Sequence, residues 1–145
     1  MKLLESRLCL WGLASMSFAC LLGHFYGWWP MPVFAICVLL PATLLLALTA
    51  VRGKSETRFI IVQGALAGLF AAVIYDLFRV PFVLAGKPLF AVFPQFGQLL
   101  LFGQLNGDTS FWPQLAGWTY HFSHGAARGL MGAAMVPLCA SPQTR

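Results

Sequence analysis

Two apolar runs of helical length follow one another almost without interruption near the start of the chain. The first extends from Leu8 to Tyr26 and the second from Met31 to Val51, with only Gly27, Trp28, Trp29 and Pro30 between them. A helix needs about 20 mainly apolar residues to cross a hydrocarbon layer, and both runs meet that length. The pair therefore predicts a transmembrane hairpin with a tight turn at Gly27 to Pro32. Composition extends the point to the whole chain: of 145 residues, 59% are hydrophobic and 9% are charged. Soluble domains carry about 25% charged residues, so this chain cannot build a polar shell, and lipid must be its main solvent. A soluble enzyme and a disordered tail are both excluded.

A third run, Phe59 to Leu84, contains Asp76 and Arg79 and meets Pro81 near its end, where the missing backbone donor predicts a kink in the last turns. A fourth, Leu115 to Leu138, contains His121, His124 and Arg128. The stretch 89–102 between them is apolar but too short and too interrupted to cross. Its Phe90, Phe93, Phe96 and Leu100 recur at helical spacing, which predicts a re-entrant or interfacial helix capping one end of the bundle. The expected fold is all-α: one membrane domain over 1–145, with spans about 8–26, 31–51, 59–84 and 115–138. Ser17-Phe18-Ala19 loosely resembles a signal-peptidase site. The run around it is longer than the core of a signal peptide, however, so it is expected to be kept as the first span.

The net charge of +5 rests on nine scattered Lys and Arg and gives no basis for nucleic-acid binding. With the N-terminus inside, Lys2, Arg7, Arg52, Lys54, Arg58 and Arg145 share the cytoplasmic side and only Lys87 lies opposite, as the positive-inside rule requires. Both termini are then cytoplasmic, and Phe25, Tyr26, Trp28, Trp29, Trp112, Trp118 and Tyr120 are expected to form the outer aromatic belt. Gly64 and Gly68, then Gly125, Gly129, Gly132 and Ala133, place small residues at helix-contact spacing, as do Ser15, Ala19 and Gly23. Whether those contacts lie within one chain, in a homo-oligomer or in a larger membrane complex is left open. Cys9, Cys20, Cys37 and Cys139 have no metal-binding or redox spacing, and no disulfide framework is implied.

Chemistry, if any, must use the polar residues inside the spans: His24, Asp76, Arg79, His121, His124 and Arg128. Each ionisable side chain costs about 2.5 to 3.5 kcal/mol at a helix centre on insertion scales, so these groups must pair, face water or hold a ligand. At 1.5 Å per residue, His24, Arg79 and His121 lie roughly 5 to 10 Å below the outer ends of their spans, Asp76 and His124 a little deeper, and Arg128 near the middle. A polar cluster in the outer half is expected, roofed by the Phe-rich segment. Three uses are open. The cluster can be a structural network in an accessory subunit, with Asp76 paired to Arg79 or Arg128. It can be a site that binds or conducts a proton or small anion. It can also hold a metal through His121, His124 and Asp76, or a haem between His24 and His121. No catalytic residue is assigned: there is no phosphate loop, no nucleophile elbow, and no second carboxylate near Asp76. The cofactor, if there is one, is left unspecified.

Tyr75-Asp76-x-x-Arg79, Phe93-Pro94-x-Phe96-Gly97 and Tyr120-His121-Phe122-x-x-Gly125 resemble a pattern in a group of small bacterial integral membrane proteins with no assigned activity. The resemblance covers residues 64–134. It implies the bacterial inner membrane and implies that Asp76, Arg79 and His121 act together. The position of His124 is more often Asn in that pattern.

Overall fold

The computed structural model describes residues 3–139, so Lys2 and Arg145 lie outside it. Five helices account for most of the chain: α1 (Arg7–Phe25), α2 (Met31–Arg52), α3 (Ser55–Leu84), α4 (Val92–Phe102) and α5 (Phe111–Cys139). There is no strand among the described residues. The first three are long and apolar enough to cross a membrane. α5 is long enough but less apolar, so the expected four spans become three strongly apolar helices and one of mixed character.

Local chemistry sets the helix ends. Ser6 caps α1 by accepting the Cys9 N–H at 3.2 Å, which satisfies one of the orphan donors of the first turn. Gly27, at φ +72°, turns the chain toward α2. Between Ala35 and Leu39, α2 widens into a π-turn, with the Leu40 N–H reaching back to the Ala35 carbonyl. Pro41 follows at once; its ring and missing N–H disrupt the regular ladder one turn earlier, and a single wide turn absorbs the misfit. Pro81 does less, because α3 stays helical to Leu84 with the proline in its closing turns. Gly86, at φ +83°, then sends the chain back along the bundle.

α5 is the central element. It packs most extensively on α3, then on α4 and α1, while α2 covers α1 and the start of α3. Leu10, Ala14, Ile60, Ile61, Leu130 and Ala134 form the core at the end where α1 begins. That end carries the exposed pairs Arg7–Glu56 at 3.1 Å and Lys54–Glu5 at 3.9 Å. A second core, of Cys20, Met31, Leu99 and Tyr120, lies toward the aromatic end.

The α3–α5 contact is the glycine seam the sequence predicts. A Cβ on Gly64 would come within 2.8 Å of the Leu130 Cα, and one on Gly68 within 2.9 Å of the Gly125 carbonyl carbon, so the two backbones touch. Gly132 has open space around it and takes no part. On α1 the buried face is Leu10, Ala14, Ser17, Cys20 and Gly23 rather than the predicted Ser15–Ala19–Gly23 stripe. Ser15 turns its hydroxyl to its own helix, at the Gly12 carbonyl. Gly23 makes room for the Trp29 ring, which stacks on Phe34 at 4.7 Å.

α4 departs furthest from expectation. Instead of capping an end, it lies antiparallel against the first half of α5. A Cβ on Gly117 would strike the Phe93 carbonyl and one on Gly97 the Pro113 carbonyl. Phe93 is 1% exposed. The aromatic belt is correspondingly smaller: Trp28 and Trp112 are exposed, but Trp118 packs on Phe93 at 4.0 Å and Tyr120 is buried.

Candidate functional site

α3 delivers Asp76 and Arg79 three residues apart, on the side that faces α4 and α5. His121 meets them from α5. Its Nε2 lies 2.8 Å from Asp76 Oδ2, within hydrogen-bond distance. Arg79 donates to Asp76 Oδ1 at 3.4 Å and to the carbonyl of Leu89. Its guanidinium also lies 5.2 to 5.3 Å from the ring centres of Tyr75, Phe90 and Phe93. Asp76 is 8% exposed. Both of its oxygens are engaged, and the group ties α3, the start of α4 and α5 together.

His124 belongs to a different group. Its Nδ1 lies 2.9 Å from the Ser17 hydroxyl, and its ring stacks between Phe18 at 5.9 Å and Tyr120 at 5.8 Å. Tyr120 donates its hydroxyl to the Ser17 carbonyl at 2.8 Å. Ser17, read from sequence only as part of a cleavage-like tripeptide, is thus where α1 is fastened to α5. His24 shares no hydrogen bond with either group among the described residues, and its ring lies beside Phe25 at the end of α1.

These placements redraw the predicted cluster. Asp76, Arg79 and His121 come together; His24 and His124 do not join them. Among the described residues, no three His, Cys, Asp or Glu side chains converge to hold a metal ion. The predicted set His121, His124 and Asp76 is not brought together, because His121 bonds Asp76 through Nε2 while His124 bonds the Ser17 hydroxyl through Nδ1. The haem arrangement meets the same difficulty, since His121 gives its Nε2 to Asp76 and His24 lies elsewhere.

Between α1, α3, α4 and α5 is a cavity of about 790 Å³. His121, His124 and Arg128, at positions i, i+3 and i+7 of α5, line one wall, and Arg79 closes its far corner. Asp76 is not on the cavity surface; it sits behind, held by its two partners. Arg128 lies over the Phe18 ring at 5.4 Å and, among the described residues, has neither a hydrogen bond nor an acidic partner.

Sequence reading missed one further buried group. Gln98 is 3% exposed. Its Oε1 accepts the N–H groups of Asn106 and Gly107, and its Nε2 donates to the Asp108 carbonyl at 2.7 Å. It thereby fixes the turn that leads into α5. A Gln in the second half of an otherwise apolar helix, shortly before Asn106-Gly107, is the signal that could have found it.

No known family model matches the chain, and no curated protein or solved structure matches it either.

Proposed function

We propose that this is a four-span integral membrane protein of the bacterial inner membrane that binds an anion in an intramembrane cavity and catalyses no reaction. α1, α2, α3 and α5 are the spans and α4 is a re-entrant helix. The charged end, with both termini, is cytoplasmic, in keeping with the positive-inside count and with the family resemblance.

One observation carries the reading: the chain has no acid left for Arg128. Its four acidic side chains are Glu5, Glu56, Asp76 and Asp108. The first two pair at the charged end, Asp108 caps the Ser110 N–H in the loop before α5, and Asp76 is engaged by Arg79 and His121. A cation near the middle of a span and without a counter-ion is costly, and an anion from outside the chain supplies what is missing. Thermal unfolding in nonionic detergent, with anions added from inorganic phosphate to long-chain acids, tests this. Anions of some size should raise the melting temperature of the wild type and leave Arg128→Gln unmoved; no shift with any anion, or equal shifts in both proteins, removes the proposal.

The complete pairing of Asp76 favours a second reading, an accessory subunit whose ion network only holds the bundle together. In the anion-binding reading the same network acts locally, keeping α4 in place as a wall of the cavity.

A further inference from the structure

The anion-binding reading leaves open what kind of anion enters, and the surroundings of Arg128 answer that. α1 and α3 both pack on α5 but scarcely on each other. The cavity lining includes Leu21 of α1 and the exposed Ala67 and Ala71 of α3, which puts its mouth on the side between these two helices. In a membrane that mouth faces acyl chains, not water. An inorganic anion would have to shed its hydration and cross hydrocarbon to reach it. The walls between the two arginines are largely apolar, with Leu21, Ala71, Phe93 and Phe96 among them. The volume of about 790 Å³ falls in the range of ligand sites, roughly 300 to 1,000 Å³. Polar groups are few and grouped on α5: Arg128 with His124 one turn away, then His121.

We infer that the cavity takes a single-chain amphiphile with an oxyanion headgroup, drawn laterally from the bilayer, with the headgroup on Arg128 and the hydrocarbon along the α1–α3 opening and α4. This rests on the anion-binding reading and adds to it the source and shape of the ligand. Guanidinium is suited to the role, since its planar fork pairs with two oxygens at once. Small residues on α3 keep the mouth wide: Ala67 and Ala71 border it beside Gly68, where bulkier side chains would close the gap to Leu21.

Native mass spectrometry of the full chain in nonionic detergent, with oleate, oleyl alcohol and acetate as probes, tests the inference. Wild type should retain oleate, with oleyl alcohol and acetate held at least about tenfold more weakly, the size of one charge-assisted contact. Arg128→Gln should lose that preference, and Arg128→Lys should keep part of it. Without ligand, Arg128→Gln should melt no lower than wild type, because it removes an unpaired charge; this separates a lost site from a lost fold. Ala71→Phe, which fills the mouth and leaves Arg128 in place, should also exclude oleate. Equal retention of oleate and oleyl alcohol, or retention of oleate by Arg128→Gln, overturns the inference. If acetate or phosphate binds through Arg128 and oleate does not, the lipid source falls while the anion-binding reading stands. If no anion binds, both fall.

Discussion

Single residues show most directly where pattern and geometry part. Asp76, Arg79 and His121 are legible in sequence because i, i+3 spacing on α3 and a histidine at matching depth on α5 leave few other ways to satisfy a buried carboxylate. His124 is not, since only the rotation of α5 decides whether it faces Asp76 or Ser17, and no local spacing encodes that rotation. The Leu89 carbonyl and Gln98 are hidden for a related reason: their partners are groups placed by tertiary structure. Asp76→Asn keeps the shape and removes the charge from a group of three. It should lower stability by about 3 to 5 kcal/mol, the cost of breaking a buried ion pair, as read by thermal or chemical unfolding in detergent. Arg79→Lys should restore little, because one ammonium cannot span Asp76 and the Leu89 carbonyl while covering three rings. Tyr120→Phe leaves the Ser17 carbonyl without its buried donor and should cost about 1 kcal/mol in the same measurement.

Among the elements, length and apolar pattern locate all four long helices, with the largest differences, four residues each, at the starts of α3 (Phe59 expected, Ser55 found) and α5. For α5 the sequence reading begins at Leu115 and the helix at Phe111. For α4 the difference is one of placement. A short apolar helix has no pattern that distinguishes lying on a bundle end from lying against a neighbour, and what decides it is the pair Gly97 and Gly117, which lets the backbones of α4 and α5 touch. The small residues of α5 accordingly differ in kind. Gly129→Ala places a methyl against the Gly64 carbonyl and the Gly68 backbone, and should destabilise by about 1 to 3 kcal/mol or more, since backbone cannot yield as a side chain can. Gly132→Ala, three residues on and in open space, should be neutral or stabilising by up to about 1 kcal/mol through helix propensity. Parallel unfolding curves of the two variants check both expectations; equal losses would show that the seam does not hold the bundle.

At the level of the whole molecule, the proposed orientation can be measured. Single cysteines at Ser55, the first residue of α3, and at Asn106, before α5, placed in a cysteine-free background, should react from opposite sides of the membrane with an impermeant thiol reagent. Asn106 should be labelled in intact cells and Ser55 only after the membrane is opened. Labelling from one side alone would contradict the four-span topology. The central position of α5 bears equally on how the protein is made. The helix that carries Arg128, His121 and His124 is the least apolar of the long four and follows the other three in chain order. Alone it is a poor substrate for the insertion machinery; beside α3 it finds a glycine groove and a waiting carboxylate. In the four-span reading, the α3 groove at Gly64 and Gly68 and the Asp76 carboxylate therefore stay uncovered until the chain has been made past Gly125 and Gly129.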